Sequence, residues 1–126
     1  MYRGDGTLVI KLYYKNNLLY DKSKSTLFTG EISEYFKNSK QHKKYKFKDG
    51  KKNGEELGYY DNGQLQYKDN YKDGKEEGEQ LHYHDNGQLM IKSNFKDGKL
   101  DGERSHYDEN GKLSFTEIWK DGEPVF

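Results

Sequence analysis

Apolar and polar residues alternate along several stretches of this chain, and the alternation returns every 24 residues. This pattern predicts β-strands, because successive strand side chains point to opposite faces of a sheet. Each period holds two predicted strands, one after a glycine and one after an Asn-Gly pair, in the ranges 55–60, 64–72, 79–84, 88–96, 103–108 and 112–120. A period of this length is typical of stacked supersecondary units, so we expect function on an extended surface rather than in a deep pocket.

Glycines and aromatic residues mark the period. An aromatic-Lys-Asp-Gly pattern begins at Phe47 and recurs at Tyr71, Phe95 and Trp119. Joined end to end, the hairpins predict an all-β fold, an elongated single-layer antiparallel β-meander. The residues that we expect to hold this structure are Gly54, Tyr59, Gly63, Leu65, Tyr71, Gly74, Gly78, Tyr83, Gly87, Leu89, Phe95, Gly98, Gly102, Tyr107, Gly111, Leu113 and Trp119.

The second strand of each period predicts which face is buried. Leu65, Tyr67 and Tyr71 fall on one side of their strand, and the equivalent residues 24 and 48 positions later are also apolar. The positions between them are mostly Gln, Lys, Asn and Thr. We therefore expect one apolar face and one solvated face.

The Asn-Gly turn sets the register of each hairpin. A two-residue loop would place Leu65 opposite Tyr60, whereas a type I turn with Gly63 as a left-handed bulge places Leu65 opposite Tyr59. The bulge is favoured because Tyr59 is Tyr in every period, as expected of a core position, while the next residue varies from Tyr60 to His84 and Asp108. We predict three-residue loops with the glycine at positive φ.

The chain divides into two predicted parts. Residues 1–29 are expected to form a strand or cap segment, in which Leu8, Ile10 and Leu12 alternate, Asn16-Asn17 forms a turn and the strand resumes at 18–20. Residues 30–126 are the repeat array, with units of about 30–46, 47–70, 71–94 and 95–118 and a partial unit at 119–126. The first unit is degenerate, because Ser39 replaces the turn glycine and Gln41 the leucine.

Composition narrows the possible classes of protein. With 126 residues and no cysteine, the chain has room for one domain, and disulfides, thiolate catalysis and cysteine-ligated zinc are excluded. Aromatic residues make up 15% of the chain and recur in register, which opposes disorder. No apolar run resembles a signal peptide or a membrane span, so a cytoplasmic location is expected unless a leader has been removed.

Charge is distributed unevenly. Residues 1–52 carry 13 Lys and Arg against 5 Asp and Glu, while residues 53–126 carry 9 against 17. The lysines that form a candidate site for an anionic partner are Lys37, Lys40, Lys43, Lys44, Lys46 and Lys48. Aromatic residues among them are compatible with an anionic membrane or nucleic acid, although the acidic remainder argues against nucleic acid. A solvated, aggregation-resistant strand or a protein contact would explain the same lysines.

Histidines and glutamates could suggest catalysis or metal binding, but their spacing favours a surface role. His82 and His84 are two residues apart and are expected on the solvent face, and His106 occupies the position of His82 one period later. Equivalent positions lie about 9 to 10 Å apart, too far for one metal ion to join. Glu55, Glu79 and Glu103 stack in the same way. We expect no enzyme, cofactor or metal site, and a partner-contact role for the histidines stays open.

A partner protein is the better functional hypothesis. Tyrosines, other aromatic residues and acidic repeats would form an interface surface, because a single sheet cannot cover all its aromatic side chains. The candidate contact residues are Tyr60, His82, His84, His106, Glu76, Glu77, Glu79, Asp85, Asp101 and Glu103.

Three motifs carry a family resemblance: Gly-Glu-x-x-x-Tyr, Asn-Gly-x-Leu and aromatic-Lys-Asp-Gly-Lys. Over roughly residues 30–123 the chain resembles the variant MORN repeats of bacteria and, more narrowly, the YwqK-type antitoxins of toxin-antitoxin systems. The resemblance implies a non-enzymatic binding module that neutralises a toxin by direct contact, as an antitoxin or immunity protein. The alternatives are a membrane-associated or assembly scaffold that binds anionic lipid through the lysines, and self-association.

Overall fold

The computed structural model describes residues 11–126, which form fifteen β-strands. Strands β1–β3 form a small antiparallel sheet, and β4–β15 form one long antiparallel sheet that runs in chain order from β4 to β15. The predicted all-β fold of antiparallel hairpin repeats is confirmed. The strands are β1 (Leu12–Lys15), β2 (Leu18–Asp21), β3 (Thr26–Leu27), β4 (Gly30–Tyr35), β5 (Gln41–Lys48), β6 (Lys51–Lys52), β7 (Gly54–Tyr59), β8 (Leu65–Lys72), β9 (Lys75–Glu76), β10 (Gly78–Tyr83), β11 (Leu89–Lys96), β12 (Lys99–Leu100), β13 (Gly102–Tyr107), β14 (Leu113–Lys120) and β15 (Glu123–Val125).

The Asn-Gly turns have the predicted bulged geometry. Tyr59 pairs with Leu65 after a register shift, and Gly63 has a φ of 89°. The Gly63 N–H donates to the Tyr60 carbonyl at 3.0 Å, and the Tyr60 N–H donates to the Gln64 carbonyl at 2.9 Å, which closes a three-residue loop. In the degenerate first unit Ser39 takes the same left-handed conformation, with a φ of 70°.

The Asp-Gly turns connect each unit to the one before it. Asp73 and Gly74 have φ values of 50° and 86°, as a two-residue type I′ turn requires, and they join β8 to β9. The Gly74 N–H donates to the Lys52 carbonyl of the preceding unit at 2.8 Å. Gly98 makes the same bond to Glu76 at 2.9 Å. The backbone of each turn therefore holds neighbouring units together.

Side chains make equivalent links at the Asn-Gly end of the units. The Tyr60 hydroxyl donates to the Tyr83 carbonyl at 2.6 Å, and a His84 ring nitrogen lies 3.1 Å from the Tyr107 carbonyl. The Asn62 amide donates to the Asp85 carbonyl at 3.1 Å. The variable position that we expected to be solvated therefore links units in two of the three periods.

The two faces of the long sheet follow from the register of β7 and β8. Glu56 pairs with Asp69 and Gly58 pairs with Tyr67, so these four side-chain positions share one face, which we call the inner face. Tyr59 lies on the opposite, outer face because strand residues alternate, and its partner Leu65 lies there with it. The expectation that Tyr59 and Leu65 share a face with Tyr67 is wrong, because Gln66 is an extra residue between them, a second bulge that shifts Leu65 by one position.

The hydrophobic core lies at the amino-terminal end of the array. Leu19, Phe28, Ile32 and Phe47 form one buried cluster. Leu19 comes from β2, which follows the predicted Asn16-Asn17 turn, and the Leu19 N–H donates to the Gly50 carbonyl at 2.9 Å. The β1–β3 sheet thus covers the inner face of β4 and β5. The predicted contributions of Leu8 and Ile10 lie outside the described residues.

The opposite end of the array leaves apolar side chains in solvent. Phe115 is 54% exposed, and Leu113, Ile118 and Val125 are also exposed. Across residues 11–126, no helix has the length and apolar character needed to cross a bilayer.

Candidate partner-binding face

A row of polar side chains crosses the inner face, where the sequence pattern predicted an apolar stripe. Glu56, Asp69, Gln80 and Ser93 succeed one another from β7 to β11, because the registers pair Glu56 with Asp69 and Gln80 with Ser93. Arg104 and Glu117 continue the row on β13 and β14. Glu56 and Asp69 are buried, and Ser93 is 1% exposed. The signal was present in the sequence as polar residues at 69, 93 and 117, on the predicted apolar side of each strand.

Lys52 neutralises the first carboxylate of this row. Its Nζ lies 2.6 Å from Glu56 Oε1 and 5.0 Å from the ring centres of both Tyr45 and Tyr71. The Tyr67 hydroxyl donates to the other Glu56 oxygen at 2.5 Å. Burial raises the pKa of Tyr67, and the hydrogen bond to Glu56 raises it further, so the phenol stays a donor. The site holds one ammonium group between two rings and a carboxylate.

The next unit has the same arrangement with the opposite charge. Glu76 occupies the position equivalent to Lys52, beside Asp69. The Gln80 amide donates to Asp69 Oδ2 at 3.0 Å and to Glu76 Oε2 at 2.8 Å. Burial, and then Asp69 beside it, raise the pKa of Glu76 to about 7. Lys52 of the preceding unit opposes this rise in the pKa of Glu76 without cancelling it, so the Glu76 carboxyl is partly protonated near neutral pH.

Three donors farther along the inner face have no acceptor. Within residues 11–126, the hydroxyl of Ser93, Nε of Arg104 and the indole nitrogen of Trp119 are buried without a hydrogen-bond partner. Ser93 lies directly opposite Gln80, and Trp119 pairs with Gly102, one inner-face position away from Arg104. Unsatisfied buried polar atoms are rare in folded proteins because each costs free energy.

The histidines are placed differently from the expectation. His82 pairs with Ile91 on the inner face and stacks on Tyr67 at a ring distance of 5.9 Å, so its predicted solvent position is wrong. His106 is also on the inner face, stacked on Phe115 at 4.2 Å, with its Nε2 2.8 Å from Glu117. Burial lowers the pKa of His82; Asp69 opposes this shift and Arg104 adds to it. His84 lies just after β10, where its ring nitrogen contacts the Tyr107 carbonyl.

Three lysines of the outer face pair with glutamates on neighbouring strands. Lys68 lies 3.2 Å from Glu55, Lys92 lies 3.4 Å from Glu79, and Lys44 lies 3.6 Å from Glu31. These pairs are well exposed. Two of the three stacked glutamates of the sequence pattern, Glu55 and Glu79, therefore meet lysines across the strands.

The remaining acidic candidates are spread over the molecule. Glu77 and Asp101 accept the turn N–H groups of Asp97 at 3.5 Å and Asp121 at 3.4 Å. Asp85 is exposed in an Asn-Gly turn, and Glu103 is exposed on β13 opposite Ile118. Of the predicted acidic contact residues, Glu76 is brought into the inner-face row.

The lysine cluster does not form one surface. Lys43 lies on the inner face opposite Glu34 and Gly58. Strand alternation places Lys44, Lys46 and Lys48 on the outer face, and Lys37 and Lys40 are exposed in the turn between β4 and β5. In the described part of the chain, no group of three or more His, Cys, Asp or Glu side chains is arranged to hold a metal ion.

The repeat geometry has a counterpart among known families. A family model described as MORN repeat variant matches residues 52–73, 76–97 and 100–121, which is just over half of the chain. The chain belongs to the MORN repeat variant family. MORN repeats form repeat modules that often bind other molecules, and the family is generally non-enzymatic. No curated protein and no solved structure matches the chain.

Proposed function

We propose that this MORN-repeat chain is a non-enzymatic protein-binding module that neutralises a toxin by direct contact, as an antitoxin or immunity protein. The observation that carries the proposal is the open inner face beyond the cap. There the carboxylates of Glu56 and Asp69, the donors without acceptors and the 54% exposed ring of Phe115 share one surface of a single sheet. Such a mixture of aromatic and polar groups is typical of protein interfaces.

In the proposed mechanism the sheet lies over the toxin and blocks its active surface. Acidic residues of the later units complement a basic rim on the toxin, which accelerates association through long-range attraction. The family is generally non-enzymatic, and Glu56 and Asp69 are held in a network with Lys52 and Gln80; both observations support a binding role.

The test is co-expression with the product of the neighbouring gene. If the proposal is right, that product stops growth when it is expressed alone, growth returns when this chain is co-expressed, and the two proteins purify together in a fixed ratio. A neighbouring product that is harmless alone, or whose toxicity persists although both proteins are made, would reject the antitoxin function.

Association kinetics separate the electrostatic part of the proposal from the rest. With the toxin identified, raising salt from 0.05 to about 0.5 M should slow the association rate several-fold and change the dissociation rate less, because salt screens long-range attraction. An association rate that does not change with salt would reject the electrostatic steering, but not the inhibition of the toxin by direct contact.

The second candidate is a scaffold that contacts anionic lipid. It is favoured by the exposed lysines Lys37, Lys40, Lys46 and Lys48, for which no ion pair is found within residues 11–126. Sedimentation with phosphatidylserine vesicles at low salt, lost in a variant with these four lysines changed to glutamine, would support it. Failure to sediment would reject it.

A further inference from the structure

We infer that the inner face of β8–β14 is the docking face, and that it takes a basic polypeptide segment whose Lys or Arg side chain pairs with Asp69 and Glu76. This inference rests on the proposed protein-binding function and names the face and the chemistry of the partner. The outer face and the rims formed by the turns are alternative docking surfaces.

The charge of the inner face calls for a basic partner. Beyond the strands covered by the cap, four inner-face carboxylates stand against two cations: Glu56, Asp69, Glu76 and Glu117, and Lys52 and Arg104. The outer face pairs its central lysines with glutamates at 3.2 to 3.6 Å. An anionic ligand such as a phosphate would be repelled by the inner-face excess, whereas a basic side chain would be attracted.

Lys52 shows how such a side chain fits. Its ammonium group lies 2.6 Å from Glu56 and 5.0 Å from each of two tyrosine rings. One unit later the equivalent position is Glu76, so the chain supplies no ammonium group beside Asp69. Asp69 and Glu76 are bridged there by the neutral Gln80 amide alone, so their carboxylates can accept an ammonium or guanidinium group from outside, as Glu56 accepts that of Lys52.

A second observation on the same face also indicates a ligand. Ser93, which is 1% exposed and opposite Gln80, has a hydroxyl without a partner, and Nε of Arg104 and the indole nitrogen of Trp119 are likewise unpaired. Hydrogen-bond donors of this kind match the carbonyl oxygens of a polypeptide backbone. The exposed ring of Phe115 beside them suits an apolar side chain of the same segment. A basic segment of polypeptide satisfies all three requirements.

The test is an NMR titration of the full chain with two blocked pentapeptides, Lys-Leu-Lys-Leu-Lys and Glu-Leu-Glu-Leu-Glu. We expect the lysine peptide to shift the side-chain amide of Gln80 and the indole N–H of Trp119, the single tryptophan. The side-chain amides of Asn70 and Asn94, which bond to the Glu79 and Glu103 carbonyls, should stay unchanged. The glutamate peptide should not bind. Equal binding of both peptides, or larger shifts at Asn70 and Asn94, would overturn the inference.

Two variants with the same change in net charge test whether the lysine peptide binds beside Glu76. Glu76→Lys should weaken binding of the lysine peptide about tenfold, whereas Glu79→Lys, with the same change in net charge on the outer face, should weaken it less than about threefold. If Glu76→Lys does not fold, Glu76→Gln at pH 8 tests the same charge. Equal weakening by both variants would mean a net-charge effect and would reject the docking face. The result is independent of the co-expression test, because a peptide can bind this face even if no toxin is neutralised.

Discussion

The ring of Tyr67 lies directly against the bare backbone of Gly58, its partner across β7 and β8. A Cβ atom at Gly58 would collide with three atoms of the ring, although Gly58 itself is not in the left-handed region. At the equivalent positions His82 and His106 carry side chains, and they stack on the inner-face aromatics Tyr67 and Phe115. The glycine in the β7–β8 hairpin is therefore explained by ring packing.

Gly58→Ala should lower the free energy of unfolding by about 1 to 3 kcal/mol, the usual cost of overpacking. Urea denaturation of the full chain measures it. In a Tyr67→Leu background the same change should cost clearly less, because the ring is gone. An equal cost in both backgrounds would show that Tyr67 is not the cause.

Gly63→Ala should cost about 1 kcal/mol through the backbone alone. Gly63 has a φ of 89°, and an added Cβ would meet no atom within 4 Å. Gly63→Asn is the matched control and should cost less, because Asn tolerates the left-handed conformation. Thermal unfolding of both variants shows whether the Asn variant is the more stable of the two. An Ala variant as stable as the native chain would contradict the turn assignment.

Ser39→Gly should stabilise the chain, in contrast to the two glycine substitutions. Ser39 holds a φ of 70° in the turn where the later units have glycine. Relief of this strain should raise the free energy of unfolding by about 0.5 kcal/mol, after the extra entropy of glycine in the unfolded chain is subtracted. A loss of stability measured by urea denaturation would show that the serine side chain contributes more than the strain costs.

Lys52→Gln should destabilise the chain by about 1 to 3 kcal/mol, because it leaves the buried Glu56 carboxylate without its cation. Lys68→Gln removes a lysine from an exposed pair with Glu55 and should cost less than about 1 kcal/mol. Urea denaturation of the two variants compares them directly. Similar costs would mean that Lys52 and Glu56 behave as a surface pair.

Stability should fall as the pH rises through about 7, because the pKa of Glu76 is raised to about 7 in the folded chain from an ordinary value of 4.5. The folded state holds a proton that the unfolded state releases, so the contribution is complete below pH 4.5 and is lost above pH 7. His82 acts oppositely below its ordinary pKa of 6.5, since burial lowers its pKa in the folded state. The difference between the native chain and Glu76→Gln, measured from pH 5 to 8.5, isolates the glutamate. A difference that does not change with pH would contradict the raised pKa.

The period and the turns could be read from the sequence, because Gly, Asn and Asp sit where the backbone needs positive φ. Tyr59 opposite Leu65 was correctly predicted from the bulge at Gly63. The faces were not, because the structure has a second bulge at Gln66, and the alternation was carried through it as if Leu65 belonged to the same side as Tyr67. One inserted residue reverses the side of every position beyond it.

The row of polar side chains on the inner face was not predicted, for a different reason. Asp69 is a polar residue on the predicted apolar side of its strand, and its burial depends on Glu56 and Gln80 from neighbouring strands. The alternation of apolar and polar residues within one strand does not show which charged residues meet across neighbouring strands. His82 was misplaced because its face depends on the register with Tyr67.

The buried cluster of Leu19, Phe28, Ile32 and Phe47 at one end of the array sets a gradient of local unfolding. The turn and side-chain bonds between units join residues only 20 to 23 positions apart, such as Asp73 with Asn53 and Tyr60 with Tyr83. In such arrays each unit depends on its neighbours rather than on the whole molecule. Amide hydrogen exchange should therefore be slowest in β4 and β5 and become faster toward β14, where the chain frays most readily. A bound partner would slow exchange most at that end.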